Sequence, residues 1–193
     1  MASTASPYGL KAVNELGGLP YSGSTRQFLI DPAGTTPNMY NGTVVAIGTG
    51  GYIAAVTNVG GTADAFPAGV VGVFNGCSYV NAQGQQIFSQ YYPTGVTGVI
   101  TANVIDDDRA VFQVQSTGSL AQAALGGNVD FFAAQTGSTS TGNSTTAVTA
   151  TSAADAASPF RIVGFVTIGD AKTDVLVKFN VGVHSYSKAL GVA

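Results

Sequence analysis

Val70-Val71-Gly72-Val73-Phe74-Asn75-Gly76-Cys77-Ser78-Tyr79-Val80 reads as one long strand. Its β-branched and aromatic residues suit a pleated surface, and its two glycines mark where a bulge or bend sits. Downstream, Ala110-Val111-Phe112-Gln113-Val114-Gln115 alternates with period two, which sets Val111 and Phe112 on opposite faces. Shorter strands flank these two. Residues 26–30 stop at Asp31-Pro32, residues 43–47 start after Asn41-Gly42, and residues 52–56 end near Asn58. Residues 86–92 stop at Pro93, and residues 97–105 stop at Asp106-Asp107-Asp108. Residues 161–168 and 174–182 close the chain. Short strands at this spacing predict an all-β fold, a β-sandwich or jelly-roll-like domain. Long helices do not alternate with the strands, which excludes a doubly wound α/β fold. One short helix or helical turn is expected at Ser119-Leu120-Ala121-Gln122-Ala123-Ala124-Leu125, before the Gly126-Gly127 stop.

Two stretches lie outside this pattern. Residues 1–27 are broken up by Pro7, Gly9, Gly17, Gly18, Pro20 and Gly23 yet keep Tyr8, Leu10, Val13, Leu16, Leu19 and Tyr21. They read as an extended N-terminal arm that needs a surface, on its own domain or on a neighbour, with the β-domain spanning 28–193. Removing residues 1–24 should then leave the domain folded. Residues 136–158 are rich in Ser, Thr, Ala and Gly and read as a loop or a polar edge strand.

Of the 193 residues, 45% are apolar and only 9% charged, with a net charge of −3. Ordinary domains carry roughly 25% charged residues. Much of the surface must therefore be Gly, Ala, Ser, Thr, Asn and Gln, which costs little to desolvate against a partner. The sequence pI is near 4.7 and the seven basic residues are scattered, so the footprint of a nucleic-acid binder is missing. No stretch is long and apolar enough for a membrane helix. The opening residues lack the basic and apolar regions of a signal peptide, so synthesis in the cytoplasm is expected.

Residues suited to catalysis are sparse. There is one cysteine, Cys77, which excludes an internal disulfide and paired-cysteine zinc sites and reads as buried filler. His184 is the one histidine; no Gly-x-Ser-x-Gly elbow supplies it with a nucleophile, so it reads as a packing or interface residue. A hydrolase built on His184 is the weakest of the functions weighed. Asp106-Asp107-Asp108 offers oxygens to Ca²⁺ but lacks the alternate ligand spacing and central Gly of a calcium loop. A solvated turn is the other reading. Gly48-Thr49-Gly50-Gly51 has no Gly-Lys-Ser/Thr to make it a phosphate cradle. No cofactor, metal or catalytic residue is assigned. The aromatic pair Tyr91-Tyr92 suits either a sugar platform or a protein interface.

The stretches Ser6-Pro7-Tyr8-Gly9-Leu10-Lys11-Ala12-Val13-Asn14 and Tyr21-Ser22-Gly23-Ser24-Thr25-Arg26-Gln27 resemble those of capsid decoration (cement) proteins of tailed phages, especially phages of aquatic bacteria. Residues 70–79, Ser89-Gln90-Tyr91-Tyr92-Pro93, residues 110–115, residues 174–180 and His184-Ser185-Tyr186 are similar too. The resemblance implies a virion structural protein. It would be a homotrimer on the outside of the shell, bound to the major capsid protein and bridging capsomers with its arm. On that expectation Tyr8, Leu10, Val13 and Leu16 face the shell or a sister subunit, and Tyr91, Tyr92 and His184 belong to partner contacts. The alternative is a carbohydrate-binding or adhesion module using Tyr91 or Tyr92.

Overall fold

The computed structural model describes residues 5–48, 50–56, 69–132, 136–154 and 158–187. The fold is all-β, as the sequence predicts. Fifteen strands are described: β1 (Lys11–Glu15), β2 (Arg26–Ile30), β3 (Met39–Tyr40), β4 (Val44–Ile47), β5 (Ile53–Ala55), β6 (Val70–Val80), β7 (Gln86–Ser89), β8 (Tyr91–Tyr92), β9 (Ile100–Ile105), β10 (Ala110–Gln115), β11 (Asn128–Val129), β12 (Phe131–Phe132), β13 (Ala147–Val148), β14 (Phe160–Phe165) and β15 (Asp174–Phe179). The expected short helix is a single 3-10 turn, Gln122–Ala124, and a second such turn follows at Ser185–Ser187.

Most of the strands make two bodies that pack together along β6 and its neighbours, and β3-β8 and β12-β13 form two small two-stranded sheets. In the first, β4 pairs with both β5 and β6, so the order β4-β5-β2-β9-β6 closes on itself into a five-stranded barrel. Closure leaves those strands with no open edge. Strand β7 extends the far half of β6 and has one partner among the described strands. The second body is an open sheet, β1-β10-β15-β14-β11.

The long strand β6 serves both bodies, and its glycines make this work. Val71, Phe74 and Cys77 belong to the barrel interior with Ile30, Val45, Ile53, Ile100, Ala102 and Val104. Val70 and Val73 belong to a second core, where the barrel's outer wall (Val44, Ala46, Ile105) meets Phe112, Val114, Phe160, Ile162, Val175, Val177 and Phe179 of the open sheet. Strict alternation would not send 71, 74 and 77 to one side. The β4–β6 register shifts beside Gly72 and the β6–β9 register shifts between Phe74 and Cys77. Each bulge adds a residue and resets the facing. Gly72 and Gly76 both take positive φ, where an L side chain is strained.

The N-terminal segment is part of the domain, which corrects the expected boundary at residue 28. β1 pairs antiparallel with β10 and forms the edge of the open sheet. Leu10 is 1% exposed and lies in the core between the two bodies. The docking needs two glycines: Gly9 (φ +78) and Gly42 (φ +88) pass so closely that a Cβ on Gly42 would sit 2.8 Å from the Leu10 nitrogen. The Leu10 N–H donates to the Gly42 carbonyl at 3.0 Å. Deleting residues 1–24 would therefore remove an edge strand, part of β2's approach and a core leucine.

Part of residues 136–158, read from the sequence as a loop or a polar edge strand, is buried. β13 pairs with β12, and Ala147, Val148, Ser144, Thr146 and Ser158 are all buried. Local hydroxyl bonds offset the desolvation: Ser144 Oγ lies 2.7 Å from Thr146 Oγ1, and the Thr146 N–H donates to Ser144 Oγ. Residues 155–157 of this stretch lie outside the described residues.

Candidate protein-interaction face

The outer wall of the barrel away from the open sheet is built from β2, β9, β6 and β7. Their registers place Leu29 opposite Thr101, Thr101 opposite Ser78, and Ser78 opposite Phe88. Directly paired residues share a face, so Leu29, Thr101, Ser78 and Phe88 form one row across four strands, roughly 14 Å wide at the usual strand spacing. Residues two positions along belong to the same face: Val80 on β6, Gln86 on β7, Gln27 on β2 and Asn103 on β9. Val99, just before β9, is exposed beside them.

Phe88 dominates this face at 81% exposure, and Leu29, Val80 and Val99 are also exposed large apolar side chains. None of the outward residues in these strand stretches carries a charge. An exposed phenylalanine among valine, leucine and uncharged polar residues is the composition of a contact surface rather than of an ordinary solvated sheet. The inward residues on the same strands explain the rigidity of the platform. Ile30, Ile100, Ala102 and Cys77 are buried in the barrel core.

A second apolar projection lies at the end of β1. Asn14 bridges to Pro20, the Glu15 N–H donates to the Leu19 carbonyl, and Gly18 N–H donates to the Glu15 carbonyl. The tight tip is thus Leu16-Gly17-Gly18-Leu19, with both glycines at positive φ. It projects Leu16 and Leu19, the latter 60% exposed. The Leu16 N–H donates to the Arg109 carbonyl and the Arg109 guanidinium donates back to the Leu16 carbonyl, which ties the tip to the body.

The residues singled out in the sequence do not gather in one place. Leu16 is at the exposed tip, Val13 is half-buried in β1, and Leu10 is interior. Tyr8 is half-buried, with the Lys11 ammonium 4.6 Å from its ring centre. Its phenol is raised far above the usual range by burial first and by the Asp174 carboxylate second. Tyr92 is fully buried in the barrel core, and Tyr91 is stacked on Tyr40 with ring centres 5.7 Å apart. That pair therefore presents no open double platform.

His184 is 1% exposed. The Tyr186 N–H donates to its Nδ1 at 3.3 Å, which leaves Nε2 as the protonated nitrogen, donating to the Val71 carbonyl at 2.9 Å. Its ring packs edge-on against Phe179. Burial lowers its pKa below the ordinary 6.5, against the opposing pull of the Val71 carbonyl, Asp108 and Asp106. Cys77 is buried in the barrel and its thiol is pushed up to about 12 by burial. The acidic run is divided among local partners. Asp106 pairs with Arg26 at 2.8 Å and accepts from the Tyr186 hydroxyl, and Asp107 Oδ1 accepts from the Arg109 N–H to close a turn. Among the described residues, no group of three or more His, Cys, Asp or Glu is placed to hold a metal, and no helix is long and apolar enough to cross a membrane.

The sequence alone does not single out Phe88. Ile87 and Phe88 are adjacent, and one must face outward; only the pairing of β7 with β6 decides which. The class that fold and face define is an all-β scaffold, a closed barrel backed by an open sheet, with an uncharged outer face centred on an exposed phenylalanine. Comparison with family models, curated proteins and solved structures gives no match.

Proposed function

We propose that this chain is a virion structural protein, a capsid decoration protein that seats on the outside of the shell and stabilises it by bridging capsomers. The observation that carries the reading is the uncharged outer barrel face centred on Phe88. A face of that kind loses little on desolvation and gains from every apolar contact it buries. The Leu16–Leu19 tip supplies a second, separate contact, and two contacts on one rigid body are what bridging requires. Many copies on one shell let modest contacts sum. Assembly as a homotrimer, and binding to the major capsid protein, follow from the family resemblance of the sequence.

The sparse charge and the neutral, hydrogen-bonded His184 fit a chain that packs rather than reacts. The test is cryo-electron microscopy of virions that encode this chain. Density for the barrel on the outer shell, with the β2-β9-β6-β7 face against capsid protein, is the expected result. Absence of the chain from purified virions would reject the reading.

A further inference from the structure

A cleft beside the N-terminal strand has a chemistry that the interaction face does not use. It has a volume of about 450 Å³, within the usual range for small-ligand sites. Four side-chain carboxamides line it, and they come from four separate parts of the chain: Asn41 after β3, Asn75 in β6, Gln90 between β7 and β8, and Asn143 before β13. Lys11 and Tyr21 complete the polar wall, and no carboxylate among the described residues lines it.

The placement of these groups is built into the backbone. Asn75 is exposed while Val70 to Phe74 and Gly76-Cys77 around it are buried. The bulge at Gly76 turns it outward, and bulges often re-aim a side chain in this way beside functional sites. A Cβ on Gly76 would come within 2.8 Å of the Ser89 carbonyl, so the bulge depends on glycine. Asn41 and Asn143 form a parallel bridge: the Asn41 N–H donates to the Gly142 carbonyl and the Ser144 N–H donates to the Asn41 carbonyl. Gly142 (φ +73) lets Gln90 lie against this loop, where a Cβ would meet the Gln90 Cβ at 2.8 Å.

Within the cluster, Asn41 Nδ2 donates to Asn75 Oδ1 at 3.2 Å. The Asn75 amide donors and the side-chain carboxamides of Gln90 and Asn143 make no hydrogen bond to the described residues. A carboxamide offers donors and an acceptor side by side, as neighbouring hydroxyls do. A cationic ligand would call for carboxylates, and an anionic one for more than the single Lys11. An extended peptide would need free main-chain groups along the wall, but those of Asn41 are spent on Gly142 and Ser144.

We infer that this cleft binds a neutral saccharide through Asn41, Asn75, Gln90 and Asn143. The inference stands apart from the capsid reading and uses none of its residues. It is tested by chemical-shift mapping of the full chain, with maltotriose, cellotriose, chitotriose and mannotriose each titrated to about 10 mM, enough to reveal millimolar binding. At least one saccharide should give saturable shifts at the carboxamide signals of Asn75, Gln90 and Asn143. Asn75→Ala and Gln90→Ala should each weaken it about fivefold or more, the loss of one hydrogen bond. Both side chains are exposed, and an unchanged spectrum elsewhere shows that each variant is folded. No shift at these carboxamides with any of the four, or shifts that survive both replacements, overturns the assignment. So does a response there to an uncharged Gly-Ser-Asn-Ser-Gly peptide with the saccharides silent. Capsid occupancy enters none of these readouts.

Discussion

His184 shows how a residue type that suggests chemistry becomes structural. Its two ring nitrogens are both engaged, one by the Tyr186 N–H and one by the Val71 carbonyl, and protonating Nδ1 would break the first bond inside a buried site. Because folding lowers its pKa, the unfolded chain binds the proton more readily. The stability His184 contributes is therefore full above about pH 6.5, the unfolded value, and drains away as pH falls through the lower folded value. A proton-NMR titration of the His184 ring should give a midpoint below 6.5, and a midpoint above it would contradict the packing described. Cys77 makes the companion case. With its thiol buried and raised to about 12, it should stay unmodified by iodoacetamide in the native protein and react once the protein is unfolded in urea. Rapid modification of folded protein would mean that the barrel opens locally.

At the scale of elements, β1 is the strand whose place changes the most. Its apolar residues were readable, but its partner β10 lies about a hundred residues away and nothing local signals the pairing. The signal that exists is a pair of glycines. Gly42→Ala should destabilise the protein by about 1–3 kcal/mol, from positive φ together with the clash against Leu10, and the fall in urea midpoint measures it. Deletion of residues 1–24 should lower the melting temperature rather than leave it unchanged, since Leu10 leaves the core with β1. The long strand was legible for a different reason. Within Val70–Val80, β-branched residues and glycine punctuation mark both the strand and its bulges. Strands β3, β11, β12 and β13 have two residues each, too short for any period to show. Ser144 and Thr146 are buried with their hydroxyls bonded to each other, and composition alone reads such residues as surface.

At the scale of the molecule, two cores meet along β6, and a lesion in either should be felt. Ile100→Ala in the barrel and Phe112→Ala between barrel and sheet should each cost about 2–5 kcal/mol in urea unfolding. The proposed interaction face lies outside both cores. The sequence made the sparse charge plain, but where the remaining apolar surface gathers depended on the register of four strands. Composition marks Tyr92 and Leu10 as contact candidates, whereas the strand registers bury both and turn Phe88 outward. Replacing Phe88 by Asp puts a charge at the centre of the face without touching either core, and stability should stay within about 0.5 kcal/mol. The most direct measurement is therefore the number of copies per virion of the wild-type chain and of Phe88→Asp, with melting temperatures taken alongside. The account predicts that the variant melts like the wild type and is lost from the shell. Equal occupancy for the two would contradict it.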